Sequence, residues 1–242
     1  PKISTTNKTL GKFTPDWTGG ISNTFSYRSL SLSFLIDASV GGSIFSNTNK
    51  TGKYTGVLAN TLSGRDAEHG GLWYYTAAMG NNVRLPESPS YSVSSDGLYY
   101  AQVNGQSTRV YQDGIMVEGV TESGSKNEEV VSAEKYYHRI YSIAEANVYD
   151  ASYVKLREVA LSYRLPRLWT QKLHLQEASV TLTGRNLWTI YKSVPNIDPE
   201  SALTTGNAQG VEAYSLPTTR SFGVNLSCLL YTSPSPRDMR RS

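Results

Sequence analysis

The chain has 242 residues, and its 23 basic and 20 acidic side chains leave a net charge of only +3. Charge spread this thinly forms no basic stripe of the kind that tracks a phosphate backbone, so no nucleic-acid partner is expected. No run approaches the roughly 18 consecutive apolar residues that a membrane helix requires, and the mean hydropathy of -0.38 does not bear on barrel strands, which alternate and escape such averages.

The chain opens at Pro1 without a charged-then-apolar leader, and is expected to be a piece of a longer protein or a processed product. Residues 1–15 are polar and aperiodic and predict a loop. A first strand is expected near 18–27, where Ile21, Phe25 and Tyr27 share one face with Asn23, while Gly20, Ser22, Thr24 and Ser26 line the other. A second, near 29–40, sets Leu30, Leu32, Phe34, Ile36, Ala38 and Val40 against Ser31, Ser33, Leu35, Asp37 and Ser39. Only Arg28-Ser29 remains to turn between them, a hairpin without the Gly or Asn that tight turns favour.

Residues 41–152 read as a long irregular loop with weak strand signals at Tyr99 to Val103 and Thr108 to Tyr111 and one helical piece within 128–146. Loops beyond about 15 residues are usually functional or disordered. Aromatic side chains such as Trp73, Tyr74, Tyr75, Tyr99, Tyr100, Tyr136 and Tyr137 argue against disorder.

The clearest strand lies near 153–165, with Val159, Leu161, Tyr163 and Leu165 on one face and Glu158, Ala160, Ser162 and Arg164 on the other, until Pro166 stops it. A helical turn is expected at 168–173. A fourth strand near 178–190 sets Ala178, Val180, Leu182 and Gly184 against Thr181, Thr183 and Arg185, with Trp188 and Tyr191 near its end, as a membrane interface favours. Residues 192–217 form a second loop. The last strand, near 219–228, carries Phe222, Val224 and Leu226 opposite Ser221, Gly223, Asn225 and Ser227. Links that alternate long and short predict one antiparallel meander in chain order with both long connections at the same end. Pairing Leu165 with Ala178 in that meander sets Glu158 opposite Arg185.

Three ordered stretches are more specific than the periodicity: Asp16-Trp17-Thr18-Gly19-Gly20, Tyr153-Val154-Lys155-Leu156-Arg157-Glu158-Val159, and Leu182-Thr183-Gly184-Arg185-Asn186-Leu187. Together they closely resemble the C-terminal end of SusC/RagA-type TonB-dependent outer-membrane transporters, along nearly the whole chain to about Ser227. The resemblance implies an all-β fold over residues 1–228, an antiparallel up-and-down meander forming part of a transmembrane β-barrel of roughly 22 strands with long extracellular loops. It implies a C-terminal piece of a multi-pass barrel in the outer membrane of a Gram-negative cell, taking up glycan or peptide oligomers. The implied partners are a SusD-like surface lipoprotein, the TonB complex through an N-terminal part, outer-membrane lipid and the oligosaccharide or peptide cargo. It implies no enzyme and no cofactor; in such a barrel the register above turns Glu158 and Arg185 into the lumen, mainly as a structural pair bracing the wall, with a role in cargo passage as the alternative. From Cys228, the single cysteine, the pattern breaks. Residues Cys228 to Asp238 resemble the in-frame translation of a sequencing adapter, so 229–242 is expected to be a non-native tail with no structure continuous with the last strand, the alternative being a natural Pro/Ser-rich tail.

The remaining chemistry is sparse. His69, His138 and His174 lie far apart, with no companions at metal-ligand spacing, and the scattered carboxylates, Glu68 among them, place no pair for glycosidase work. Trp73, Tyr74, Tyr75, Tyr99 and Tyr100 are candidate contacts to cargo or a partner, because flat aromatic faces pack on sugar rings or peptide side chains at little entropic cost. The structural alternative is that they pack the loop against itself. A rival function, a secreted carbohydrate-binding β-sandwich, draws on the 17 tyrosines and the alternation. It requires a second sheet over Leu30, Leu32, Phe34, Val159 and Leu161.

Overall fold

The computed structural model describes residues 7–121, 123–172, 174–201, 206 and 208–230. The chain divides into two compact units, one formed by Gly11–Ile44 with Tyr149–Ser242, the other by Pro1–Leu10 with Phe45–Val148. In chain order the elements begin with strands β1 (Trp17–Tyr27), β2 (Leu30–Val40) and β3 (Ser43–Ser46), followed by helix α1 (Asn47–Thr55). Short strands come next: β4 (Leu72–Thr76), β5 (Asn82–Arg84), β6 (Tyr91–Val93), β7 (Tyr99–Val103), β8 (Gln106–Ile115) and β9 (Val131–Ser132). Helix α2 (Ala133–Tyr141) and β10 (Val148–Asp150) lead to β11 (Tyr153–Arg164), α3 (Arg167–Lys172), β12 (Leu175–Lys192), β13 (Val211–Glu212) and β14 (Ser221–Leu230).

The first unit is built on a five-stranded sheet in the order β1-β2-β11-β12-β14, every neighbour antiparallel. This is the expected meander in chain order. Backbone bonds at its two ends fix the polarity of the links. Arg164 N–H donates to Ser29 O at 2.8 Å, which sets the two short turns side by side, while Ala151 N–H to Gly42 O (3.1 Å) and Ser193 N–H to Ser152 O (3.0 Å) gather the long connections at the opposite end. The sheet is open, with β1 paired to β2 and β14 to β12 among the described residues. At the first short turn Arg28 takes a left-handed φ of 53°, so a two-residue hairpin closes without the glycine such a turn favours.

Partners across an antiparallel pair share a face, so the register assembles the side chains into rows. Phe25, Leu32, Leu161, Leu182 and Val224 form one row across all five strands, and Tyr27, Leu30, Tyr163, Val180 and Leu226 form the next. The opposite face carries Ser26, Ser31, Ser162, Thr181 and Asn225 in one row and Thr24, Ser33, Ala160, Thr183 and Gly223 in another. The apolar face is uncovered: Leu32 is 40% exposed, Leu161 42%, Leu182 51% and Val224 73%. Leu30 is exposed as well, and Phe34 and Val159 are half-buried. A sandwich would bury all five of the residues that separate the two readings.

The other unit corrects the expectation of a long loop at 41–152. It contains a six-stranded sheet, β5-β4-β8-β7-β6 with β9 against β8. Most of its strands have two to five residues, too short for period two to rise above the background. The weak signals at Tyr99 and Thr108 do mark the β7–β8 hairpin. Helix α1 comes from caps rather than propensity: Ser46 Oγ accepts from Asn49 N–H at 3.0 Å, and Gly56 ends the helix at φ 69°. Within 128–146 the α-helix is confined to α2, capped by Ser132, with a 3-10 turn following at Glu145–Asn147, and the expected turn at 168–173 is α3, with Leu173 outside the described residues.

A second correction concerns the tail. Leu229 and Leu230 continue β14, opposite Glu177 and Leu175, so structure continuous with the last strand does run past 228. A ladder requires only backbone N–H and C=O groups, and β12 extends far enough to pair with both residues. Residues 231–242 lie outside the described residues.

The register is directly testable. In a Cys228→Ser background, Ser162→Cys with Thr181→Cys should oxidise to a disulfide, since these side chains face each other with oxygens 2.5 Å apart. Ser162→Cys with Val180→Cys should not, because the two point to opposite faces. The reverse result would mean a one-residue slip.

Candidate functional site

Toward the end of the sheet that carries the long connections, the polar face changes from serine and threonine to charge. Tyr153, Lys155 and Arg157 alternate along β11, with Lys155 opposite Asp37 of β2. A bulge at Arg157 breaks the register between Leu156 and Glu158. The loop after β12 brings the counter-charges. Its Val194 (0% exposed) and Ile197 (6%) pack with Ile44, Tyr149 and Ala151, and Ile197 N–H donates to Pro195 O at 2.8 Å across Asn196, whose φ is 63°. That tight turn aims Asp198 and Glu200 back at the sheet.

Lys155 Nζ donates to Asp198 Oδ1 at 2.5 Å and to Glu200 Oε2 at 2.6 Å. The Lys155 and Asp198 side chains are 3% and 7% exposed. Asp198 Oδ2 accepts from Thr218 N–H (3.1 Å) and Thr218 Oγ1–H (2.6 Å), and Oδ1 also accepts from Glu200 N–H (3.1 Å). Arg157 Nε and Nη2 both reach Asp37 Oδ2, at 3.0 and 2.8 Å, and Nη2 also donates to Glu200. Tyr153 donates its hydroxyl to Glu200 Oε1 at 2.8 Å.

Burial pushes the Asp198 carboxyl up, but Lys155, then the Thr218 hydroxyl and the backbone N–H groups of Glu200 and Thr218, outweigh it and hold the group well below the usual carboxylate range. Glu200 is likewise pushed up by burial and brought below its ordinary value by Arg157, Lys155 and Tyr153. Every oxygen of Asp198 is already engaged, so it is neither a free base nor an open ligand. The cluster acts as a clasp that fastens the 193–218 loop to the polar face. Among the described residues no group of three or more His, Cys, Asp and Glu is placed to hold a metal.

Glu158 and Arg185 are direct partners across β11 and β12, and Arg185 Nε donates to Glu158 Oε2 at 2.9 Å. Both are partly exposed, so the bridge is worth roughly 0.2–1 kcal/mol. In the same stretch Gly184 leaves room for Leu187, whose Cδ2 would lie 2.8 Å from an added Cβ. Asn186, at φ 52°, donates to Thr219 O at 3.2 Å.

The aromatic candidates sit in the other unit. Trp73 (6% exposed) and Tyr74 (5%) are core residues, Trp73 packing with Ala101 and Val110. Their faces are spent on that packing. Tyr75, Tyr99 and Tyr100 are half-buried, and Tyr99 and the exposed Tyr91 both contact the Trp73 ring. Sequence reasoning missed the clasp. Its visible trace is Lys155 and Arg157 two residues apart in the polar phase of a strand, but nothing in the chain order joins them to Asp198 and Glu200.

Removing one member of the clasp should cost far more than removing a pair. Lys155→Met strands the buried Asp198 carboxylate and should destabilise by about 3–5 kcal/mol, whereas Lys155→Met with Asp198→Leu should recover much of that loss; equal losses in denaturant melts would show the pair is not coupled. Because both carboxyls are depressed, their contribution is complete above the ordinary carboxylate pKa of about 4 and is lost as pH falls toward their depressed values. Protease cleavage between 193 and 218 should therefore stay flat from neutral pH down to about 4 and rise below it.

No protein-family model matches the chain. It is 33% identical over 91 residues to TonB-dependent receptor P3 of Formosa agariphila, a match covering 35% of this chain and 9% of that receptor. Among solved structures it is similar to the RagAB peptide importer in its open-open state (18% identity, 88% of this chain and 17% of that one, TM-score 0.42). It is also similar to the closed-closed state (17% identity, 93% and 18%, TM-score 0.43). The receptor match points the same way as the three ordered motifs: over 91 residues this chain is similar to a TonB-dependent receptor, and the match spans only 9% of that receptor's length.

Proposed function

We propose that the five-stranded sheet is part of the wall of an outer-membrane β-barrel, with its apolar face against lipid and its polar face toward the lumen. The observation that carries this reading is the apolar rows running unbroken across all five strands, with Leu32, Leu161, Leu182 and Val224 open to solvent. In water such a face is a liability; in a bilayer it is the outward band of a barrel. Aromatic side chains flank it: Trp17, Trp188 and Tyr191 toward the long connections, Tyr27 and Tyr163 toward the short turns, all exposed. No helix among the described residues is long and apolar enough to cross a membrane. Strands are the crossing elements here.

On this reading the long connections are extracellular, the clasp holds one of them at the lumen mouth, and Glu158–Arg185 braces the wall from inside. The full-length protein is a TonB-dependent importer of glycan or peptide oligomers, capped by a SusD-like lipoprotein, and the SusC/RagA resemblance supports these roles. Residues 229–242 are foreign to that protein even though Leu229 and Leu230 pair with β12.

Two measurements test the reading. In the full-length transporter Leu161→Arg, in the middle of the apolar face, should cost about 2–4 kcal/mol and deplete the outer-membrane fraction. Ser162→Arg, one residue away on the polar face, should leave insertion intact; equal sensitivity at both positions would refute a lipid-facing band. Deleting the gene and comparing growth on oligosaccharides with growth on peptides identifies the cargo class, and no growth defect on either would refute an importer.

A further inference from the structure

The end of the sheet that carries the short turns has an unassigned chemistry. Arg28 sits in the first turn with its guanidinium 5.2 Å from the centre of the exposed Tyr27 ring. The second short connection contributes Arg164, then α3 with Arg167 and Lys172. The Arg164–Ser29 backbone bond holds the two connections adjacent. Against these four cations stands Glu177, which pairs with Arg164 at 2.8 Å. Among the described residues no carboxylate pairs with Arg28, Arg167 or Lys172.

Between these cations the chain exposes large apolar groups. Leu168 is 74% exposed and Trp169 57%, on a helix whose Thr170 is 3% exposed. Helix α3 packs against β12, and Ala178, at the short-turn end of β12 and in phase with Val180 and Leu182, is 2% exposed. Its cross-strand partner Cys228 and its phase-mate Leu182 are exposed on that face, so a neighbouring element closes over Ala178, and α3 is the helix that packs on this strand. The helix therefore lies on the apolar side of the sheet and continues that face past the strand ends.

We propose that this end of the protein is a collar that binds the anionic headgroups of diacyl phospholipids, with Leu168 and Trp169 seated among the acyl chains and Arg28, Arg167 and Lys172 meeting the phosphates. Charge complementarity selects this occupant. A cationic rim around protruding Leu and Trp side chains is the pattern of an interfacial anchor, and surface cations of this kind attract anionic lipid over zwitterionic lipid. A water-facing turn would need neither the exposed Trp169 nor the surplus of positive charge. The collar rests on the membrane reading above and goes beyond it by naming the leaflet chemistry at this end.

The test uses the full-length transporter in nanodiscs of phosphatidylcholine, with a bimane label at Leu168→Cys or, as a depth control, at Leu161→Cys. Brominated phosphatidylglycerol should quench the label at 168 about fivefold more strongly than brominated phosphatidylcholine at equal mole fraction. That preference should disappear when Arg28, Arg167 and Lys172 are changed to Gln, and should fall in high salt. The label at 161 should be quenched by both lipids alike. Equal quenching at 168 by the two lipids, or a preference that survives the triple change, overturns the collar while leaving the membrane reading standing. Quenching at 161 with none at 168 means that water or protein covers this end, and also overturns it. Absence of quenching at 161 with either lipid brings down the membrane reading and the collar with it.

Discussion

The register of β11 is the constraint on which the rest depends. This strand pairs with β2 on one side and β12 on the other, and it alone joins the N-terminal hairpin to the C-terminal strands. Side chains alternate with a period of two, so a shift of one residue would send Leu161 and Tyr163 to the serine face and Ser162 to the apolar face. Correct pairing aligns Leu32, Leu161 and Leu182 in one row and Ser31, Ser162 and Thr181 in the other. Two chemically distinct surfaces follow from one backbone choice.

The bulge at Arg157 shows how the same strand serves two purposes. Below it, strict alternation produces the apolar and polar rows. Above it, the extra residue lets Arg157 and Glu158 engage different partners: Asp37 and Glu200 for the first, Arg185 for the second. The clasp built there places three carboxylates around two cations. Desolvating Lys155 and Asp198 is costly, and the arrangement is tolerable because Thr218 and the Glu200 N–H satisfy what the lysine leaves over. Its value lies in geometry. A loop anchored only by Val194 and Ile197 could pivot; one that also has to keep two buried charges matched cannot.

The two units use aromatic residues in opposite ways. In the unit built on β4 to β8, Trp73 and Tyr74 are core, and a flat ring serves to fill space between short strands. In the five-stranded sheet, Trp17, Trp188, Tyr27 and Tyr163 are exposed at the strand ends. Amphipathic rings suit both settings, since one part of the ring system is apolar and the polar tip finds water or a hydrogen-bond partner. Composition alone therefore could not sort them.

The chain order by itself determined the five long strands, their antiparallel sequence, the faces they present and the Glu158–Arg185 pairing, because period two over ten or more residues is a local property and short links leave one way to pair neighbours. The motif Leu182 to Leu187 was likewise legible as a resemblance. What the tertiary structure decided is everything that depends on distant or brief segments. The strands and first helix within 41–152 are set by caps, turns and mutual packing too short to print a pattern. The burial of Trp73 and Tyr74 is settled by neighbours such as Ala101 and Val110. The clasp joins Lys155 to Asp198 and Glu200 across more than forty residues. Charged residues carry no mark of their partners in a linear sequence, and only the fold brings them within reach.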